Sequence, residues 1–394
     1  MRSRGQDVSG IGPLSGIRVL DVGTYAVGPS AAAYLGYLGC DVIRIENPAG
    51  EGFMDLDPTM DGMAASYINA NMQKRSIHLN LRDDEDLRKA HLLADNADIL
   101  IENRLPGVID RLGLSYETVS ASNPGVIFLS MPGFAPDGPF AGRPSLDMEM
   151  QALSGFASIE GAEGGPGEMF RVYAHLDHTT AIALAQAAVL GLLNRRRTGR
   201  GRHIVVTFMG SSAFLQSTRI AEYMGTGSPP RPSGSASPWF APSQSFPCLD
   251  QVYINISAQN DAAFHDLCEV LDAPGLLEDQ RFGSDRLRLA NRTELGIAIS
   301  KVTTTRPSWW WLRELRKRRV PCGELYTFES LRTDPHFIGQ GLVREIPTKW
   351  GKIVRGGHPW KFSLTPCPEI EPAHEPGSDS EEVLAELRSL AEKP

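Results

Sequence analysis

Short β-branched segments alternate with helix-compatible stretches through the first 135 residues, and no other property of the chain limits its fold as strongly. Four of these segments read as buried strands: residues 17–22, 41–46, 98–102 and 125–130. Stretches compatible with helices lie between them, among them residues 31–38 and 84–93. Buried strands that alternate with helices are typical of a parallel sheet covered on both faces. The pattern therefore predicts an α/β fold with a doubly wound parallel sheet.

A change in composition marks the start of a second module. Residues 225–247 are rich in proline, serine and glycine, which is typical of a linker or a crossover. The sequence then predicts a strand over 252–257 and helices near 261–271 and 308–318. After about residue 340 the chain turns proline-rich and acidic, and it ends in an amphipathic helix near 380–390.

The length of 394 residues favours two or three domains over one. We expect a large α/β domain from residues 10–227 and a smaller α/β domain from residues 228–335. The C-terminal segment, residues 336–394, is expected to return to the large domain.

Charge and hydropathy argue against two classes of partner. The chain has 39 lysines and arginines against 47 aspartates and glutamates, a net charge of −8, whereas proteins that bind nucleic acids normally carry a basic excess. The longest apolar run, residues 181–193, is interrupted by Gln186 and is too short to span a bilayer. The N-terminal residues lack the apolar stretch of a secretory signal. We therefore expect no nucleic-acid partner and no membrane association.

Cysteine and histidine usage predicts a reducing compartment and no metal site. The five cysteines are odd in number, widely scattered and never spaced as C-x-x-C, which argues against a disulfide framework and favours the cytoplasm. The nine histidines form no compact grouping of metal ligands. The turn after the first strand, residues 23–28, lacks the three-glycine spacing of dinucleotide-binding folds. We expect no tightly bound cofactor.

Asp177 is the position at which the sequence points most clearly to chemistry. It stands where an extended segment meets a long helix rich in alanine and leucine, and aspartate is a favoured N-cap residue. A carboxylate at a helix N-terminus is also held ionised by amide donors and the dipole, which keeps it available as a nucleophile. The two roles are compatible. Of the flanking His175 and His178, at most one is expected to meet the carboxylate.

Five arginines within residues 195–202 follow that helix. Their ordinary role is to complement the negative end of the helix dipole. A subunit interface and a site for a phosphate group are the alternatives that the sequence leaves open.

Several segments match, in order, the motifs of one family: residues 13–21 and 38–46 as its first two strands, residues 74–80 and 97–103 as loops that face CoA, Asp147 with residues 151–155, and Asp177 with residues 197–201. In these segments the chain resembles the class III CoA-transferases, the family of the carnitine, formyl and bile-acid CoA-transferases. The likeness covers nearly the whole chain, and so many matches in order make it specific.

The resemblance implies an enzyme, a CoA-transferase in which Asp177 attacks an acyl-CoA thioester. An aspartyl acyl anhydride forms, CoA thiolate then converts it into an enzyme–CoA thioester, and an acceptor carboxylate completes the transfer. CoA is thus part of the substrate, and the partners are an acyl-CoA and a carboxylic acid. The family forms interlocked homodimers, so the resemblance implies a homodimer here.

The resemblance also implies which residues lie near the substrates. The residues expected near CoA are Tyr25, Ala26, Lys74, Leu79, Asn103, Arg104 and Arg111. Asp147 is expected to support the site, and Arg143 to pair with a substrate carboxylate or with Asp147 itself.

Two departures from the family's patterns bear on the reaction. The oxalate-specific transferases carry a run of glycines followed by glutamine in the second module, and this chain has a Pro/Ser-rich segment there, residues 233–244. The family's α-methylacyl-CoA racemases have a histidine before the aspartate at 147, where this chain has Leu146. Racemisation needs two acid/base groups, so CoA transfer is favoured, and a racemase with His175 or His178 as the second group is the alternative. The sequence leaves open the acids involved and whether transfer is inter- or intramolecular.

Overall fold

The computed structural model describes residues 12–52, 54–56, 58–170 and 174–391, and of residues 390 and 391 the backbone alone. Among them the strands are, in chain order, β1 (Arg18–Asp21), β2 (Asp41–Glu46), β3 (Thr59–Met60), β4 (Met63–Ala64), β5 (Arg75–His78), β6 (Ile99–Glu102), β7 (Ile127–Ser130), β8 (Arg202–Val205), β9 (Ser243–Pro247), β10 (Tyr253–Ser257), β11 (Cys322–Glu324), β12 (Val343–Thr348) and β13 (Gly351–Gly356).

The α-helices follow the same numbering from the N-terminus. They are α1 (Val27–Gly36), α2 (Ala65–Ala70), α3 (Asp84–Asp95), α4 (Val108–Arg111), α5 (Tyr116–Ser122), α6 (Asp147–Leu153), α7 (His175–Thr198), α8 (Phe208–Leu215), α9 (Ser217–Thr226), α10 (Asp261–Leu271), α11 (Gly275–Glu278), α12 (Asp285–Ala290), α13 (Arg292–Thr303), α14 (Ser308–Lys317), α15 (Phe328–Thr333), α16 (Pro335–Gly339) and α17 (Ser380–Ala391).

The chain forms two compact units. The first comprises the chain up to Phe156, the segment Phe170–Met224 and the chain from Pro335 onward. The second comprises the segments Ala157–Met169 and Gly225–Asp334. The short segment belongs to the second unit because it is tied there: the Gly161 carbonyl accepts a hydrogen bond from the Gly234 amide, and Glu163 forms an ion pair with Arg292.

A six-stranded sheet in the order β5-β2-β1-β6-β7-β8 organises the first unit. Every neighbouring pair in this sheet is parallel. The four strands predicted from the sequence are present, and the prediction of an α/β fold built on a large parallel sheet is confirmed.

Alternate strand residues enter two cores, one on each face of the sheet. On one face Val19, Ile99 and Ile127 pack with apolar residues of α1 and α7. On the other face Leu20, Leu100 and Phe128 pack with α3, α5 and α17. Successive strand side chains point to opposite faces, so buried residues on both faces require helices on both. The C-terminal helix α17 contributes Val383 and Leu387 to the second core.

The second unit has its own sheet and core. Its antiparallel sheet has the order β11-β10-β9, and its core joins Phe246, Ile254 and Ile256 to apolar residues of α10, α13 and α14. The predicted strand over 252–257 and the helices near 261–271 and 308–318 are confirmed by β10, α10 and α14.

Helix α7 ends at a turn that only glycine fits. Gly199 follows it with φ 70°, and a Cβ on Gly201 would lie 2.0 Å from the Val126 carbonyl oxygen. This close passage sets β8 beside β7.

Arg195, one of the five arginines that end and follow α7, binds Asp98 at 2.9 Å and the Gly125 carbonyl at 3.0 Å. That arginine is therefore an anchor between α7 and the sheet.

By length and composition, α7 is the one helix among the described residues that would also suffice to cross a membrane. The core helix of a soluble protein passes the same test, and α7 supplies Leu176, Leu184 and Leu192 to the core shared with α1.

Candidate active site

Asp177 lies in the first turn of α7, as that helix's third residue. The sequence placed it as the N-cap, and that prediction is wrong: the N-cap is Ala174, which makes no side-chain capping bond. The capping oxygen comes from Asp147, whose Oδ2 accepts hydrogen bonds from the amides of Leu176 at 2.9 Å and Asp177 at 3.2 Å. The predicted extended residues 171–173 lie outside the described residues.

A glutamine holds the capping carboxylate in place. Asp147 is the first residue of α6, and Gln151, one turn later, donates from Nε2 to Asp147 Oδ1. The same amide group donates to the Phe170 carbonyl at 3.0 Å, and its Oε1 accepts from the Phe170 amide at 2.8 Å. Both side chains are buried. The Asp147–Gln151 pair therefore fixes the position of the chain at the start of α7.

The Asp177 carboxylate has no hydrogen-bond donor among the described residues. Burial, and secondarily the negative charge of Asp147, raise the pKa of Asp177 to about 7. The expectation that amide donors hold Asp177 ionised is therefore wrong; the amides of Leu176 and Asp177 donate to Asp147 instead. Perturbed pKa values cluster at functional sites, so a half-buried carboxyl group with a pKa near neutrality and no partner among the described residues makes Asp177 the candidate reactive group.

Neither flanking histidine is bound to Asp177. His175 lies between two aromatic rings, 4.3 Å from Phe156 and 5.4 Å from Phe170 by ring centroids, and both of its ring nitrogens are buried without a hydrogen-bond partner among the described residues. His178 Nδ1 shares a 2.7 Å hydrogen bond with the Tyr34 hydroxyl. Burial lowers the pKa of His178. That Tyr34 contact spans 144 residues of chain, and no local pattern predicts it.

Four of the residues expected near CoA lie at the carboxyl ends of β1 and β6. Tyr25 and Ala26 follow β1, and Tyr25 is exposed with φ 56°. Asn103 follows β6 and ties the two loops together: its Oδ1 accepts from the Thr24 amide at 2.7 Å and its Nδ2 donates to the Thr24 carbonyl at 2.8 Å. The next residue, Arg104, is half-buried. Strand β1 lies between β2 and β6, so the chain leaves these two strand ends at a switch point of the sheet.

Arg104 and Arg111, the two arginines expected near CoA, differ in their surroundings. Burial lowers the pKa of Arg104, and its Nε is buried with no hydrogen-bond partner among the described residues. Arg111 ends the short helix α4 and is exposed. Leu79, by contrast, is a core residue on the far side of β2, where only its backbone amide is engaged, with the Glu46 carbonyl.

Lys74 is placed differently from what a direct contact with CoA requires. Its ammonium group is buried and donates to Asp21 at 2.9 Å, to the Pro29 carbonyl at 2.7 Å and to Asn71 at 3.0 Å, which uses all three of its hydrogens. Burial opposes the ionisation of Asp21, yet Lys74 and Arg44 hold its pKa below the ordinary value. Asp21 in turn accepts from the Gly23 amide at 2.9 Å. Lys74 therefore acts through Asp21 on the loop after β1.

This buried network around Asp21 was not predicted from the sequence. A signal was present, since Arg44 and Glu46 interrupt an otherwise apolar strand, and charged residues are rarely buried unless paired. Arg44 binds Asp21 at 3.1 Å, Glu46 at 3.1 Å and Glu51 at 2.9 Å.

Arg143 does not pair with Asp147. Its guanidinium lies 4.2 Å from the centroid of the Phe140 ring, on the exposed loop after β7. Of the two roles that the sequence left open for Arg143, pairing with Asp147 is wrong, because Asp147 is fully engaged by backbone amides and Gln151.

One group of side chains among the described residues has the spacing of a metal site. His265, Asp266 and Glu269 bring their ligand atoms together on α10. Arg318 forms an ion pair with Glu269 at 2.6 Å and lies 4.0 Å from Asp266, which balances the negative charge.

Comparison with known proteins identifies the family of the chain. The model of CoA-transferase family III matches residues 14–380. The acetyl-CoA:oxalate CoA-transferase of Acetobacter aceti is 33% identical over 363 residues, which cover 92% of each chain. The succinate–glutarate CoA-transferase of Agrobacterium fabrum is 30% identical over 391 residues, or 96% of each chain. The crystal structure of a CAIB/BAIF family protein from Brucella suis superposes with a TM-score of 0.87 at 29% identity, over 96% of this chain and 100% of that one.

The family model matches nearly the whole chain, and the parallel-sheet α/β fold agrees with that of the structural neighbour. The chain belongs to CoA-transferase family III, and the resemblance found in the sequence is confirmed. It is an enzyme of the CoA-transferase type, and coenzyme A enters as part of its substrate.

Proposed function

We propose that this enzyme moves CoA from an acyl-CoA to a carboxylic acid with Asp177 as the covalent nucleophile. The observation that carries the proposal is the state of the Asp177 carboxyl group: half-buried, without a hydrogen-bond donor among the described residues, and with its pKa raised by burial to about 7. A poorly solvated carboxylate is a stronger nucleophile than one that donors and water stabilise, and covalent catalysis divides one difficult exchange into easier steps.

The proposed reaction balances without water. An Asp177 carboxylate oxygen attacks the thioester carbonyl, the C–S bond breaks, and an aspartyl acyl anhydride and CoA thiolate result. The thiolate then attacks the aspartyl carbonyl, and the departing acid leaves an Asp177–CoA thioester. An acceptor carboxylate attacks this thioester, and the same two steps run in reverse. The products are a new acyl-CoA and the Asp177 carboxylate, with no net uptake or release of a proton.

The CoA portion is proposed to lie over the loops that follow β1 and β6. Ligands of open parallel sheets bind beyond the carboxyl ends of the strands, at the point where neighbouring connections diverge. The unpartnered Nε of Arg104 and the exposed guanidinium of Arg111 are suited to phosphate groups. Tyr25, Ala26 and Asn103 shape the loops. Leu79 and Lys74 act indirectly: Leu79 packs in the core of the sheet, and Lys74 binds Asp21, which precedes the loop after β1.

Small dicarboxylic acids are the proposed substrates. The relatives named above act on oxalate, or on succinate and glutarate, and all three acids carry two carboxyl groups. Transfer between two molecules and transfer between the two carboxyl groups of one diacid use the same chemistry. A panel of acetyl-, succinyl- and mesaconyl-CoA donors, each tested with and without a free acid, distinguishes them.

We further propose a cytoplasmic homodimer with a large and a small domain that follow the two units. Five free cysteines are compatible with a reducing compartment. Large apolar side chains on α7 and α8, among them Ile182, Leu190, Leu193 and Phe214, are exposed on the single chain, and such surfaces usually pack against a partner.

Replacement of Asp177 by asparagine tests the proposal. The amide forms no anhydride, so we expect Asp177→Asn to lose CoA transfer by at least about 10³-fold. It should fold normally and, at pH 8, unfold at no lower temperature than the wild type, because a neutral amide avoids the cost of burying a charge. Asp137→Asn, at an exposed loop position, is the matched control. An active, correctly folded Asp177→Asn enzyme contradicts the proposal.

The same assays in D2O test the racemase alternative. Racemisation exchanges the α-proton of the acyl group with solvent, whereas CoA transfer leaves that proton in place. Deuterium at the α-carbon without net transfer would favour a racemase.

A further inference from the structure

Arg143 lies on a loop whose aromatic residues hold its side chain in place. Its guanidinium stacks over the Phe140 ring at 4.2 Å, and Phe140 packs edge-on against the buried Phe134, with 5.3 Å between the ring centroids. Stacking occupies the face of the guanidinium and leaves the N–H donors at its edge. Arg143 is thus an oriented cation with its hydrogen-bonding edge unused.

No acidic side chain among the described residues forms an ion pair with Arg143. The acid nearest in sequence on the C-terminal side, Asp147, already accepts hydrogen bonds from the amides of Leu176 and Asp177 and from Gln151. Arg195, by comparison, lies at the other end of α7 and has a counter-ion, Asp98. An oriented arginine without a counter-ion is ready to bind an external anion.

The chain geometry limits how far Arg143 can lie from the Asp177 turn. Ser145 packs so tightly on Gly133, just beyond β7, that a Cβ on the glycine would lie 2.2 Å from the Ser145 hydroxyl. Asp147 follows two residues later, and its Oδ2 is 3.2 Å from the Asp177 amide nitrogen. Four residues span at most about 14 Å of extended chain, so the Arg143 backbone lies no farther than that from the backbone of Asp147, which contacts the Asp177 turn.

We propose that Arg143 binds the distal carboxylate of a dicarboxylic acid substrate while the other carboxyl group reacts at Asp177. A guanidinium and a carboxylate form two parallel hydrogen bonds, so the pair selects acids that carry a second carboxylate. This inference rests on the proposed CoA transfer through Asp177 and adds the residue that determines which acids are used.

The test compares two acceptors that differ only at the distal end: glutarate, and valerate, in which a methyl group replaces the second carboxyl group. The donor is whichever of acetyl-CoA and succinyl-CoA supports transfer. We expect Arg143→Gln to raise KM for glutarate and to lower the glutarate-to-valerate ratio of kcat/KM by about 10- to 100-fold, with kcat affected less. Arg143→Lys should recover part of the ratio, since it keeps the charge and loses the paired geometry.

A matched control removes an equivalent arginine from the second unit. Arg306 stacks over Trp310 at 4.3 Å and likewise has no ion-pair partner among the described residues, so Arg306→Gln should leave the ratio unchanged. A wild-type enzyme that uses valerate as well as glutarate overturns the proposal, as does an Arg143→Gln enzyme that loses both acids equally. Absence of transfer by the wild type with every acid refutes the proposed function itself, and the role of Arg143 with it.

Discussion

At the scale of single residues, the sequence indicated Asp177 both as the cap of α7 and as a nucleophile, whereas the structure has two carboxyl groups at the start of this helix. Asp147 caps α7, and the Asp177 carboxylate has no hydrogen-bond donor in the part of the chain that the structure describes. The sequence correctly predicted that Asp177 lies at the start of a long helix. Which aspartate caps depends on a contact between residues 30 positions apart, and no local pattern encodes such a contact.

The pH dependence of the first half-reaction is predicted to follow Asp177. In the proposed mechanism the nucleophile is the Asp177 carboxylate, so a pKa raised to about 7 makes the rate rise with pH through neutrality. Asp147→Asn removes the smaller of the two causes of that shift, and burial, the larger, remains. We expect the acidic limb of kcat/KM to move to lower pH by up to about one unit. An unchanged limb, measured with the same acyl-CoA donor, would contradict the electrostatic link.

That variant also has a predictable structural cost. An asparagine keeps one acceptor for the amides of α7 and turns its other polar atom into a donor that faces the donor of Gln151. We expect a loss of about 1–2 kcal/mol in the free energy of unfolding. The pH profile separates this loss from the electrostatic effect, because lower stability alone does not move a kinetic pKa.

At the scale of elements, close packing between α7 and the sheet places Asp177. A Cβ on Gly191 would lie 2.6 Å from Cγ2 of Ile127, a fully buried residue of β7. We expect Gly191→Ala to lower the free energy of unfolding by about 1–3 kcal/mol, despite the higher helix propensity of alanine. Gly225→Ala is the matched control, because nothing lies within 4 Å of a Cβ at that helical position, and it should be neutral or slightly stabilising. Chemical denaturation of both variants measures the difference.

Elements with strong local patterns were predictable, and side-chain networks were not. Helix α10 occupies the expected residues 261–271, since its apolar period and the Asn260 cap are both local features. Lys74 was expected beside CoA from the family resemblance. Its burial depends on Asp21, 53 residues away, and on the Pro29 carbonyl. Hydrogen bonds between side chains so far apart in the sequence form only when the strands are assembled, so no local pattern predicts them.

At the scale of the whole molecule, the C-terminal helix shows how distant segments complete one domain. Val383 and Leu387 of α17 enter the core under β5 and β2, and Arg75 of β5 binds Glu386 at 3.0 Å. Residues 336–394 were expected to return to the large domain. Residues 157–169, in contrast, carried no sequence signal of the ties to Gly234 and Arg292 that group them with the second unit.

The proposed homodimer has a direct hydrodynamic consequence. Each chain has a mass of 43.0 kDa, so sedimentation equilibrium at micromolar concentration should yield twice that value. Burial of the apolar surface of α7 and α8 would make the association tight. A mass of one chain that persists up to high micromolar concentration would contradict the dimer.

Covalent labelling tests the central role of Asp177 most directly. The wild-type enzyme is incubated with an acyl-CoA and no acceptor, reduced with borohydride, digested and analysed by mass spectrometry. Borohydride reduces an aspartyl–CoA thioester to an alcohol, so we predict that the peptide containing Asp177 carries a hydroxymethyl group in place of its carboxyl group. Asp177→Asn should show no such change. A reduced carboxyl group at another residue, or none in an enzyme that transfers CoA at its full rate, would contradict the account.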